Sequence, residues 1–230
     1  MVRSFYCLIL VKILIGISIN MKQQKILMAY FVIGALELLS PVISSSIRYA
    51  TKPLLMILLG IYVYSYGLKP ATRNGLLFTL FYAWLGDVFL LIPGDSALYF
   101  QLGLGSFLVM QIAYIRQFVK MGALRWSYFL IPVLVYVIGF LGFLYPNLPA
   151  ALVPPVLVYA LALGSMLYFA FQIPHSVLRW GAFLFVVSDS LLAFGKFYFE
   201  YPWNSFAVMS TYILAQLLLI RALCKLHIQR

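Results

Sequence analysis

Charge is what this sequence has least of. Only 9% of its 230 residues are Asp, Glu, Lys or Arg and 65% are apolar, whereas soluble domains carry about a quarter charged residues. That excludes an ordinary soluble globule, and the apolar share excludes a disordered chain. Histidine and cysteine are scarcer still, two of each. Cys7 and Cys224 lie in apolar runs near the two ends, which leaves neither a disulfide framework nor a thiolate metal site. His175 and His227 stand singly near a loop and a tail, without the Glu/His-rich helices that build buried metal sites. No metal and no cofactor are expected. The formal net charge of +11 belongs, in so apolar a chain, to cytoplasmic loops, and a nucleic-acid partner is not expected.

What is present is a series of apolar runs. Eight of them, at 26–44, 53–68, 74–92, 98–118, 126–145, 151–172, 179–199 and 205–224, approach the ~20 residues that cross a ~30 Å hydrocarbon layer. Breakers such as Lys69-Pro70, Pro93-Gly94-Asp95 and Pro146-Asn147-Leu148-Pro149 separate several of them. The fold class is therefore all-α: a polytopic transmembrane bundle with eight core helices forming one membrane domain over residues 25–230. Residues 1–20 form another hydrophobic segment, interrupted by Lys12 and lacking a small-residue cleavage site. With Met21-Lys22-Gln23-Gln24-Lys25 reading as an initiation region of its own, residues 1–24 are an optional extension that either spans or lies outside the core.

Cations alternate from loop to loop. Lys22 and Lys25, Lys69 and Arg73, Arg116, Lys120 and Arg125, Arg179, then Arg221, Lys225 and Arg230 mark one side, and only Arg48, Lys52 and Lys196 mark the other. The richer side faces the cytoplasm. The expected protein is a multi-pass integral membrane protein with a cytoplasmic C-terminus, in the inner membrane if the source is bacterial.

Against this background, acids inside the helices stand out, because a charge at mid-bilayer costs ~3 kcal/mol or more and marks a functional site by default. Asp87 lies in LFYAWLGDVFLL and Asp189 in GAFLFVVSDSLLAFGKF, with Ser188 and Ser190 beside it and Lys196 seven residues on, on the same helical face. Glu37 joins them in the first core helix. Counted from those segment starts, the three acids fall near the midplane, with Lys52 and Lys196 nearer the non-cytoplasmic side, and their convergence implies one polar cavity. Glu37, Lys52, Lys196, Gln111, Tyr212 and Gln216 are candidate substrate-binding residues, and Asp87 and Asp189 candidate catalytic carboxylates. The bland alternatives are snorkelling for the lysines and helix-to-helix hydrogen bonding for the rest. Thr51 and Pro53 read as the N-cap and first turn of the second helix. A Gly-Asp followed by Gln111 and a Ser-Asp followed by Gln216 suggest a weak parallel repeat four helices apart.

Five stretches together carry a family resemblance: TKP at 51–53, LGDVFLL at 85–91, F-x-x-G-L-x-x-F-x-x-x-Q-x-x-Y from Phe100 to Tyr114, SDSLLAFGKF at 188–197 and STYILAQLL at 210–218. In these the sequence resembles the YhhN-type lysoplasmalogenases, eight-helix membrane proteins whose animal members hydrolyse the vinyl ether of lysoplasmalogens. It departs at Gln111, where the family pattern often has His. The resemblance implies a hydrolase acting on a lysophospholipid within membrane lipid, with Asp87 and Asp189 as its carboxylates.

Such chemistry suits the residues. Protonating the alkenyl carbon creates an oxocarbenium ion, water adds, and the hemiacetal collapses to an aldehyde and a glycerophospho headgroup. One carboxyl donates the proton while an ionised partner stabilises the cation or activates water, as in glycosidases. Two other classes use similar parts. A proton-coupled lipid or solute carrier also needs buried carboxylates, whereas an intramembrane aspartyl protease fits poorly, because Trp84 replaces the first glycine of its Gly-x-Gly-Asp signature.

Overall fold

The computed structural model describes residues 20–92 and 97–229. Residues 1–19, 93–96 and 230 lie outside the described residues, and with them the expectation of an additional N-terminal span or extension. The described chain is helical, with no strand. Its helices are α1 (Met21–Ile43), α2 (Arg48–Tyr64), α3 (Pro70–Leu91), α4 (Ala97–Lys120), α5 (Leu130–Leu144), α6 (Val153–Phe171), α7 (Ser176–Phe197) and α8 (Asn204–Ile228). With the short 3-10 turns that extend α2, α5 and α6, each is long and apolar enough to cross a membrane. The protein is a multi-pass membrane protein, and helices are the form that satisfies every backbone N–H and C=O within the segment in lipid.

Several helices start earlier than the apolar runs. Asn20 caps α1, its side chain accepting from the Lys22 N–H at 3.3 Å, and Pro70 occupies the first turn of α3, so Lys22 and Arg73 fall inside helices rather than before them. The imidazole Nδ1 of His175 accepts the Leu178 N–H at 3.3 Å and caps α7. This histidine is thus a structural cap. α2 begins at Arg48, and Thr51 is one turn inside it rather than its N-cap. The threonine hydroxyl instead makes a side-chain bond to Glu37.

α8 is the most buried span and α5 the least. α8 packs on α7, α1 and α2, while α4 packs on α3 and α6. Close approach needs small residues at two of these contacts. A β-carbon at Gly181 would stand 2.9 Å from the Leu219 backbone nitrogen of α8, and one at Gly86 would stand 2.8 Å from the Phe107 ring of α4. Pro41 of α1 cannot donate to the Glu37 carbonyl one turn back; the Ser40 hydroxyl donates to that carbonyl at 2.6 Å instead. The same turn thereby fixes the backbone that carries the Glu37 carboxylate.

Candidate functional site

The intramembrane charges gather toward the end of the bundle where α1, α3 and α7 finish and α2 starts. Lys52 stands four residues from its helix end, Asp87 four, Glu37 six and Asp189 eight, or about 6, 6, 9 and 12 Å at the helical rise. Asp87 is thus nearer a helix end than a segment start at 74 would suggest, because α3 begins at Pro70 and closes at Leu91.

Lys52 and Asp87 meet. Nζ lies 3.4 Å from Oδ1, with side chains only 9% and 1% exposed. The second carboxylate oxygen accepts the Tyr212 hydroxyl of α8 at 2.8 Å. Behind that phenol, the Gln216 amide donates to the Tyr212 oxygen at 3.4 Å and its carbonyl accepts the Tyr114 hydroxyl at 2.6 Å. Glu37 has its own pair: Arg48 Nε donates to Oε1 at 3.2 Å and Thr51 donates to Oε2 at 2.5 Å. The Arg48 side chain remains 27% exposed, a guanidinium half-open at the bundle's end beside the Lys52–Asp87 pair.

Asp189 has different surroundings. Its Oδ2 accepts the Tyr159 hydroxyl of α6 at 2.5 Å, and among the described residues it has no ion-pair partner. It lines a cavity of about 60 Å³ enclosed by α3 to α7, whose other walls include Leu104, Phe107, Val137, Leu141 and Leu163. The cavity runs from Asp189 toward Phe100 and Phe197, which meet edge to face. Lys196 is exposed and holds its ammonium 5.2 Å from the Phe100 ring centre, above that end of the cavity and away from Asp189. On the lipid side, the bonded hydroxyls of Tyr136 and Ser190 separate the cavity from a groove of about 600 Å³ between α5, α6 and α7.

Phe107 divides the two carboxylates. Its ring walls the Asp189 cavity, sits 6.1 Å from the Tyr212 ring and fills the notch at Gly86, next to Asp87. Gln111, one turn further along α4, is fully buried with its amide set against the Tyr159 hydroxyl.

A family model matches residues 47–223, from the start of α2 almost to the end of α8, and so takes in both carboxylate clusters. The chain belongs to the YhhN family. Among curated relatives, it is similar to lysoplasmalogenase TMEM86A of Bos taurus, 34% identical over 150 residues that cover 61% of each chain. It is also similar to lysoplasmalogenase TMEM86B of Mus musculus, 43% identical over 79 residues that cover 34% of each. The match thus spans roughly a third to three fifths of these relatives' length. No solved structure matches the chain.

Within this YhhN-family bundle, of the eight residues singled out from sequence, Lys52, Asp87, Tyr212 and Gln216 form one connected cluster; Glu37 sits in its own pair, and Asp189 and Gln111 flank Tyr159. Lys196 joins none of them. Tyr159, Tyr136 and Arg48 join the site beside those eight. The signal that distinguishes Tyr159 is its place within the apolar run of α6, where a phenol needs a hydrogen-bond partner inside the bundle.

Proposed function

We propose that this protein is a membrane hydrolase that cleaves the vinyl ether of a lysoplasmalogen-like lysophospholipid, releasing a fatty aldehyde and a glycerophospho headgroup. The carrying observation is the contrast between two buried carboxyls: Asp189 opens on an apolar cavity with a phenol and no cation, while Asp87 is held against an ammonium. An apolar wall tolerates a carboxylic acid far better than a carboxylate, so Asp189 carries the proton and Asp87 stays ionised. The names borne by the matched relatives support the same reaction, and residues 25–230 act as one membrane domain.

In this reading the ether end of the alkenyl chain enters the cavity and its ether carbon reaches Asp189. The carboxyl proton passes to the vinyl carbon β to the ether oxygen, leaving an oxocarbenium ion at the carbon that bears the oxygen, whose charge the Asp87 carboxylate behind the Phe107 ring offsets through space. Water bonds to the cationic carbon, its proton returns to Asp189, and the hemiacetal C–O bond breaks to give aldehyde and a free glycerol hydroxyl. Arg48 and Lys52, at the end of the bundle, offer positive charge to the headgroup phosphate, with Lys196 at the cavity's outer end. Tyr212 and Gln216 hold Asp87 in place, and Glu37 fixes Arg48. The basic loops support a cytoplasmic C-terminus, with this end of the bundle facing the opposite side of the membrane, the inner membrane in a bacterium.

Aldehyde release from a lysoplasmalogen by detergent-purified protein is the test. Activity no greater than that of the Asp87→Asn/Asp189→Asn double variant would overturn the proposal. A proton-coupled carrier built on the same carboxyls would instead move intact lipid across vesicles without producing aldehyde.

A further inference from the structure

The cavity at Asp189 is too small for a whole lipid tail. It holds about 60 Å³, whereas pockets that take small-molecule ligands run to ~300–1,000 Å³. The groove on the lipid side, about 600 Å³, falls in that range. The two spaces adjoin, since Tyr136, Phe140 and Ser190 wall both of them. Beyond those three the groove is lined by apolar side chains alone, Val187 and Phe183 of α7 among them, and the stacked rings of Phe129 and Phe171, 4.2 Å between centres, close its far end.

The partition between them is a pair of hydroxyls. Ser190 has a single proton to give and donates it to the Val186 carbonyl one turn back at 2.5 Å, so in the bond between the two hydroxyls Tyr136 donates and Ser190 accepts. α5 is anchored by other residues. Its buried Val133 and Val137 face Gly164 of α6, where a β-carbon would stand 3.3 and 2.7 Å from them, while Tyr136 and Phe140 are half-buried. The Tyr136 side chain can thus turn toward lipid with the α5 to α6 packing intact, at the loss of one interhelical hydrogen bond, ~0.6 kcal/mol on average within membranes. Position along the bundle adds an order. Arg48 and Lys52 stand near its end, Asp189 about 12 Å inside with Ser190 beside it, and the groove continues seven residues back along α7 to Phe183, about 10 Å further from those cations. Cations, acid and apolar groove follow one another as phosphate, ether and hydrocarbon tail do in a lysolipid.

We propose that the groove between α5, α6 and α7 holds the hydrocarbon tail of the substrate, and that the Tyr136–Ser190 pair is a side door that parts to let the tail stay in the groove while the ether reaches Asp189. This rests on the hydrolase reading and adds to it where the chain lies and how it arrives. A short chain fits within the cavity behind a closed door, whereas a long one needs the door open. The fatty aldehyde, once parted from its headgroup, leaves by the same opening directly into lipid, and the headgroup leaves at the bundle's end.

Two variants move the same ratio in opposite directions. Val187→Trp fills the groove, and Tyr136→Phe removes the latch while keeping its ring. For kcat/KM on a long-chain lysoplasmalogen divided by that on a short-chain one, the first should bring a fall of about tenfold or more and the second a rise. If the ratio is unchanged in Val187→Trp, or if both rates of Tyr136→Phe fall in step with its melting temperature, the groove is a surface for bulk lipid, the bond is a tie between helices, and the proposal fails. A second readout needs no turnover and uses a non-hydrolysable alkyl-ether lysophospholipid with a diazirine at the end of its tail. On the wild type, light should fix the label near Phe171 and Phe183, and Val187→Trp should suppress it. Label spread over the outer faces of other helices, or unaffected by Val187→Trp, overturns the proposal. Groove labelling in wild-type protein that releases no aldehyde would remove the hydrolase reading and leave the tail site standing.

Discussion

Replacing Lys52 by Met tests how the bundle tolerates its buried charges. Methionine keeps most of the side chain's length and removes the ammonium, so the Asp87 carboxylate, 1% exposed, loses its only ion-pair partner among the described residues. At the observed 3.4 Å, the attraction forfeited is ~5 kcal/mol for an effective dielectric of 20. Breaking a buried pair from one side costs about 3–5 kcal/mol in measured cases, and the Tyr212 bond to the other oxygen favours the lower end. Adding Asp87→Asn removes the stranded charge, so the double variant should recover most of that loss. The assay is equilibrium unfolding in mixed micelles, run as a double-mutant cycle beside aldehyde release. A single Lys52→Met variant within ~0.5 kcal/mol of wild type would refute the reasoning, and so would a double variant as unstable as the sum of the singles. The recovered double variant should still be inactive, since it lacks the ionised carboxylate.

Asp189→Asn should lower kcat by about 10²- to 10⁴-fold without lowering the melting temperature, and combining it with Asp87→Asn should add little if the two act as a unit. Ala193→Phe, in the cavity wall, should raise KM for long-chain substrates far more than for short-chain ones, as a chain-length series would show. Gly86→Ala would put a methyl 2.8 Å from the Phe107 ring, and unfolding should report a loss of about 1–3 kcal/mol. A cysteine replacing Ala71, in a background without Cys7 and Cys224, should resist an impermeant thiol reagent in intact cells; strong labelling would reverse the orientation.

Much of this architecture was legible because membrane spans announce themselves by length and apolarity. The run 98–118 and the helix Ala97–Lys120 differ by one or two residues at each end for that reason. Ends defined by capping were harder: Arg73 and Lys22 look like loop residues, yet Pro70 and Asn20 start helices before them. The scarcity of charge was enough to single out Glu37, Lys52, Asp87 and Asp189, since so few charges lie inside the spans. Which of them touch was not legible. The bond between Tyr212 and Asp87 joins residues 125 apart, and helical periodicity says nothing about how distant helices face each other. Lys196 shares a helical face with Asp189, but it stands at the end of α7, where an exposed ammonium over the Phe100 ring avoids the desolvation that reaching Asp189 would require.

The pairings also bear on how the chain enters a bilayer as it is made. Glu37 meets Arg48 and Thr51 across the α1–α2 connection, Lys52 meets Asp87 between α2 and α3, and Asp189 meets Tyr159 between α6 and α7. Each acid thus finds its first partner on a helix next to its own in the sequence. A nascent chain inserting helix by helix can neutralise or hydrogen-bond each acid within one hairpin, before distant helices exist to help. Only the bond from Tyr212 must wait for α8, so biogenesis can deliver a nearly complete set of charge pairs to the membrane and leave the last helix to close the polar site.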